Sequence, residues 1–193
     1  MLKSLETQAT KFFDCEIRLS ASRLDAQQLR DFADAQMPRS GIGAVPWSTP
    51  LSSDQLVELA KTRKAEFVTA HMMLAADAEL PLIGIGALVR DADNYPHPRM
   101  IIVVDAESRG QGIGKRIANE LLHRLSLGET VQVEVQQALT PLRRRERFFE
   151  SLGFECVEEK HRTGEVPEFM GGNLVGTVQK NFALYSFTRE VED

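Results

Sequence analysis

The chain has 193 residues, 42% of them hydrophobic and 26% charged, which is enough apolar material for the core of one domain without disulfides or a structural metal. Its net charge of -5 at pH 7 argues against a nucleic-acid partner, whose phosphates are bound by an excess of Lys and Arg, and mildly favours a cationic acceptor. Cys15 and Cys156 lack zinc or redox spacing, and Met1 to Phe13 hold no apolar run, so reduced thiols, no metal, no membrane anchor and a cytoplasmic address are the expectations.

The first element is a short strand around Glu16 to Leu19, after which Ser22-Arg23-Leu24-Asp25 resembles a capping signal for a helix through about Asp34. Gly41, Gly43, Pro46 and Pro50 then make a loop that carries Arg39 and Trp47, and Ser52 and Ser53 open a second helix through about Thr62. Phe67 to Leu74 and Leu82 to Val89 suit an antiparallel hairpin, although Gly84 and Gly86 weaken the second strand. Met100 to Val104 is short, β-branched and continuous, the pattern of a central strand buried on both faces.

Ile113, Ile117, Leu121, Leu122 and Leu125 recur at helical spacing until Gly128 stops the helix. Thr130 to Val135 alternates as a strand, Thr140-Pro141 starts a helix that runs to about Leu152, and Gly153-Phe154 leads into another strand. The tail reads as a glycine-containing loop from Gly164 to Gly176 followed by a last strand near Phe182 to Phe187. Antiparallel-looking strands followed by a strand–helix–strand–helix–strand progression predict an α/β sheet with helices on both faces.

Between the central strand and the amphipathic helix lies Arg109-Gly110-Gln111-Gly112-Ile113-Gly114. Glycines at alternate positions let the chain approach a ligand closely, and the helix that starts there aims unpaired N–H groups at it, which suits a pyrophosphate. Lys115 stands where the dinucleotide fingerprint needs a third glycine, and Arg116 follows Lys115 where a Walker loop needs Ser or Thr.

Arg109-x-x-Gly112-x-Gly114 after such a strand resembles the acyl-CoA signature of the GNAT superfamily of N-acyltransferases, and Arg147-Phe148-Phe149-Glu150-Ser151-Leu152-Gly153-Phe154 is similar to that family's later helix-to-strand element. The resemblance implies a single domain over 1–193 with a core of about 16–188, built on a mixed, mostly antiparallel sheet that splays between its fourth and fifth strands. It implies acetyl-CoA (acyl-CoA) as co-substrate. The main chain of Val103 and Val104 would meet the pantetheine, and the amides of Arg109, Gly110, Gln111, Gly112, Ile113 and Gly114 the pyrophosphate. A backbone N–H near the splay would polarise the thioester carbonyl, and an amine would attack directly.

Phe149 takes the cofactor-facing place where the family usually has a tyrosine acid, and Leu142 the place of a common asparagine. Tyr185 is a substitute proton donor to examine. For the base, His97 lies just before the central strand, between Pro96 and Pro98, and Glu134 is the rival on the neighbouring strand; an ordinary turn histidine and a solvent-facing carboxylate are the bland readings. His71 reads as structural, and His123 and His161 as surface residues. Arg143, Arg144, Arg145 and Arg147 crowd the first turns of a helix, where positive charge opposes the dipole; they either contact a cofactor phosphate or form a solvated face. Phe169, Met170, Gly171 and Gly172 would close the acceptor pocket or meet a second subunit.

The expected function is transfer of an acetyl group to a primary amine of a small molecule or peptide, without nucleic-acid or membrane partners. A homodimer is expected from general frequency. The alternative is a non-catalytic acyl-CoA-binding regulatory module.

Overall fold

In the computed structural model the structure is described for residues 15–19, 27–32, 35, 53–62, 64–72, 82–90, 96–137, 144–170 and 173–190. The loop with Arg39 and Trp47, Leu142, Arg143, Gly171 and Gly172 lie outside them. Seven strands form one sheet: β1 (Cys15–Leu19), β2 (Ala65–Met72), β3 (Leu82–Val89), β4 (Arg99–Val104), β5 (Thr130–Gln136), β6 (Glu155–Met170) and β7 (Asn173–Thr188), in the order β1-β2-β3-β4-β5-β7-β6. Every neighbouring pair is antiparallel except β4 and β5, which are parallel. The helices are α1 (residues 27–32), α2 (Ser53–Lys61), α3 (Ile113–His123) and α4 (Arg144–Glu150).

Side chains alternate across the strands, and the sheet accordingly has two apolar cores. On one face α3 lays Ile113, Ile117, Leu121 and Leu122 over Val68, Leu88, Met100 and Val133, joined by Leu152 and Phe154 from the chain after α4. On the other face Leu29 and Phe32 of α1 and Val57 of α2 cover Phe67, Ile85, Ala87 and Ile101. This second core draws its strand residues from β2, β3 and β4.

Gly84 and Gly86 belong to β3 after all, for a packing reason. A Cβ at Gly86 would lie 2.3 Å from Ile117 Cγ2 and 2.8 Å from Leu121 Cδ1, and one at Gly84 would lie 2.9 Å from Ile117 Cδ1. The two glycines form a recess that lets α3 rest directly on the strand backbone.

On either side of Gly171 and Gly172, the stretch from Gly164 to Gly176 is strand, not loop. It is the outer half of a long hairpin in which Gly164 pairs with Lys180 and Glu168 with Gly176. Pro167 sits in β6, the last strand of the sheet, where a missing N–H is tolerated because no ladder continues beyond it. The central strand also departs from full burial: Arg99 to Ile101 are buried, whereas Ile102 to Val104 are half-exposed, because β5 has left their side.

Candidate active site

β4 and β5 pair through Arg99 and Gln132 alone, with Gln132 N–H donating to Pro98 O at 2.9 Å. Beyond that pair the strands diverge, giving the splay expected between the fourth and fifth strands. The joined end is tied by Arg90 at the end of β3, which bonds Glu66 of β2 at 3.0 Å and also Glu129 just before β5.

The pairing pattern decides which main-chain groups face the gap. Asp105 N–H donates to Ile83 O at 2.9 Å, and in an antiparallel ladder the direction of bonding alternates along the strand. The odd residues Ile101 and Val103 therefore bond to β3, and the even residues Ile102 and Val104 turn their N–H and C=O toward the splay. On β5 the same alternation turns Glu134 and Gln136 toward β4. Of the two expected pantetheine contacts, Val104 has this orientation; Val103 turns its main chain to β3, and Ile102, absent from the sequence reading, shares the orientation of Val104.

After β4 the chain makes a 3₁₀ turn, Ala106–Ser108, capped by Asp105, whose carboxylate accepts from Glu107 N–H at 3.0 Å. The turn delivers Arg109 in an extended conformation. Gly110 and Gly112 follow at φ 80 and 79, in the left-handed region that disfavours a Cβ. Gly112 is the N-cap of α3 and makes no side-chain capping bond, so the first-turn N–H groups of the helix have no internal acceptor. A Cβ at Gly110 or Gly112 would meet no protein atom within 4 Å. Open space on one side, unsatisfied donors and a helix dipole together fit a phosphate group.

Two cations border this loop. Arg109 Nε donates to Val104 O at 3.1 Å, and Arg145, in the first turn of α4, donates through Nη1 to Gln136 Oε1 at 2.6 Å. Burial holds the Arg145 guanidinium below the ordinary arginine range; Glu146 offsets this and Arg109 adds to it. Arg145 and Arg109 are thus close enough to repel, an arrangement that an anion between them relieves. Arg147 of the same cluster, by contrast, is exposed. Gly114 packs between Val104 and Phe148, with its Cβ position 3.6 Å from each, while Gln111 is exposed and Ile113 sends its side chain into the core.

Phe149 is half-buried in an aromatic cluster, 5.0 Å from Phe148 and 5.4 Å from Phe154 between centroids, both edge-to-face. Tyr185 of β7 has 0% exposure, and its hydroxyl is 3.5 Å from Glu150 Oε1. It is a core residue and is not presented to a thiol.

Glu134 is not a solvent-facing carboxylate: it is 9% exposed. Arg162 of β6 donates to its Oε2 from Nε at 2.8 Å and Nη2 at 2.5 Å, and Arg162 also lies 4.0 Å above the Phe182 ring. Glu134 Oε1 is 3.4 Å from His161 Nε2 and 4.0 Å from Arg99 Nη1. His161, read from sequence as a surface residue, is half-buried, with Nδ1 2.7 Å from Glu158 Oε2. His97 lies half-buried ahead of β4, at the joined end of the strands. His71 is 3.1 Å from Thr69 Oγ1 on β2, and His123 is exposed at the end of α3. Among the described residues no cluster of His, Cys, Asp and Glu could hold a metal.

The fold recurs in solved structures. A phosphinothricin acetyltransferase of the GNAT superfamily from Sinorhizobium meliloti, in complex with AcCoA, is 21% identical with a TM-score of 0.57 over 91% of this chain and 89% of that chain. The ribosomal-protein-S18-alanine N-acetyltransferase of Escherichia coli is 14% identical with a TM-score of 0.57 over 93% and 96%. The spermidine/spermine N-acetyltransferase SpeG of Vibrio cholerae is 18% identical with a TM-score of 0.51 over 91% and 95%. No curated protein matches the sequence significantly. The family model of the acetyltransferase (GNAT) domain matches residues 49–167, a span that takes in the splay, the glycine loop and α4, and the chain accordingly belongs to the GNAT family of acetyltransferases, with acetyl-CoA as its co-substrate.

Proposed function

We propose that the chain transfers an acetyl group from acetyl-CoA to a primary amine by direct attack, with the thioester lying in the splay. The observation that supports this most is the single Arg99–Gln132 pair, which leaves the main chain of Ile102 and Val104 facing that of Glu134 across a gap. The pyrophosphate is held by the amides of Arg109 to Gly114 and by the Arg109 and Arg145 cations. From there to the joined end β4 offers five steps of about 3.3 Å, roughly 17 Å in all, an edge along which an extended arm can pair. A main-chain N–H facing the splay would polarise the thioester carbonyl, a preorganised donor in a site shielded from water.

Glu134 is our candidate base, because it combines a position two residues into the splay with a side chain on the face of the sheet opposite α3. His97, at the joined end, is the second candidate. Phe149 supplies no acid, and the departing thiolate takes its proton from solvent; a thiol with a reference pKa of about 8.5 leaves without help.

The acceptor is a small molecule or a protein, the two kinds named for the SpeG and S18-alanine enzymes. No helix among the described residues is long and apolar enough to cross a membrane, and we propose a cytoplasmic protein whose single domain spans the sheet from β1 to β7. We also propose a homodimer, for which β6 offers a sheet edge with Val157 exposed.

Calorimetric titration with acetyl-CoA, followed by assay of CoA release over a panel of amines, tests the reading. Binding with amine-dependent release is the expected result. Binding with no release for any amine would favour the regulatory module to which Phe149 points, and absence of binding would remove the proposal.

A further inference from the structure

If Glu134 takes the proton of the attacking amine, that proton must leave a buried position. Glu134 Oε2 is occupied by two bonds from Arg162, so Oε1 is the oxygen left to receive and pass on a proton. Oε1 faces His161 Nε2 at 3.4 Å, and the other ring nitrogen, Nδ1, lies 2.7 Å from Glu158 Oε2. The Glu158 side chain is 53% exposed, against 6% for Glu134. An imidazole between a buried and an exposed carboxylate can accept a proton at one nitrogen while releasing one from the other, because its two nitrogens exchange donor and acceptor roles.

We propose that Glu134, His161 and Glu158 form a proton relay from the splay to solvent. The inference rests on the acetyl-transfer reading above. As the new C–N bond forms and the C–S bond breaks, the amine proton passes to Glu134 Oε1 and then to His161 Nε2. His161 Nδ1–H passes its proton to Glu158 Oε2, which returns it to water, and the CoA thiolate is protonated from solvent. The electron pair of the C–S bond leaves with sulfur, so no oxidant or reductant enters. Among the described residues, the charged groups around the ring are Glu134 from β5, Glu158 and Arg162 from its own strand, and Arg99 of β4, whose Nη1 lies 4.0 Å from the same Oε1 of Glu134. Arg162 is a positioning residue here: by holding Oε2 it turns Oε1 of Glu134 toward the ring.

The relay separates from a merely structural role by chemical rescue. In His161→Ala, kcat for the best amine should fall about tenfold or more, short of the full 10²–10⁴ range of general acid–base effects because Glu134 itself remains, while KM for acetyl-CoA stays within about twofold. Imidazole added to the buffer should restore part of kcat, and the pH–rate profile should move to higher pH, since the acceptor then loses its proton to bulk solvent. Glu158→Gln, a substitution on the surface, should lower kcat in the same sense without loss of Tm and should show no imidazole rescue.

A kcat within about twofold of wild type in both variants, or a His161→Ala loss that imidazole leaves untouched at every pH, would overturn the relay. Wild-type protein that binds acetyl-CoA and releases no CoA with any amine would overturn the transfer reading, and the relay with it. The wild-type assay therefore tells the two failures apart.

Discussion

Gly112 stands at φ 79 and ψ 0 with no protein atom within 4 Å of a Cβ position, so dihedral and ligand, not crowding, select glycine there. Gly112→Glu would put a carboxylate where the helix dipole and the free amides await a phosphate, and acetyl-CoA affinity should fall by at least about tenfold in calorimetry. Gly112→Ala is the control: it carries the left-handed strain, about 1–2 kcal/mol, without the charge, and should lose stability in thermal melts more than it loses affinity. Wild-type affinity in folded Gly112→Glu would remove the phosphate cradle from the site. Arg145→Gln tests the second cation. A charge-assisted bond of about 1.5–3 kcal/mol predicts roughly tenfold or greater weakening of acetyl-CoA binding, with the loss shrinking as salt screens the guanidinium. Weakening that is equal at low and high salt would make Arg145 a packing residue.

At the scale of elements, the seating of α3 on β3 decides where the phosphate loop stands. Gly86→Ala should cost about 1–3 kcal/mol by overpacking, because the atom it meets at 2.3 Å is Ile117 Cγ2, fixed to Cβ and unable to swing away. Ile117→Ala alone should cost about 2–5 kcal/mol, and the double variant should cost less than the sum of the two singles in urea denaturation. Additive losses would mean that α3 is not held by this contact. The sequence displayed most of these elements because each carries a local signal: alternation in β2 and β5, the helically spaced Ile113, Ile117 and Leu121, and the alternate glycines. What it hid was non-local. Gly84 and Gly86 look like strand breakers until α3 is seen against them, Gly164 and Gly176 look like loop residues until each is paired across the hairpin, and His161 looks solvated until Glu134 of another strand is placed beside it. Main-chain direction is equally non-local, and so Val103 was named where the register selects Ile102.

At the scale of the whole molecule, the sheet is continuous in order yet interrupted in bonding, since one residue pair connects its first four strands to its last three. Amides of Ile102, Val104 and Glu134 should exchange with solvent deuterium faster than those of Ile101, Val103 and Val133, which have ladder partners. Acetyl-CoA at saturating concentration should slow the first group selectively. Uniform protection along β4 and β5 before any ligand is added would contradict an open splay.

That one-pair junction also partitions the labour of the chain. The glycine loop, where we place the nucleotide end of acetyl-CoA, belongs to the four-strand half, whereas the proposed relay from Glu134 through His161 to Glu158, and the second cation, Arg145 of α4, belong to the chain that follows it. Changes at Glu134, His161 or Glu158 that leave Arg145 in place can therefore retune acceptor chemistry while the glycine loop goes on recognising the same donor. Variation among descendants of this chain would be tolerated unevenly, concentrated on one bank of the splay.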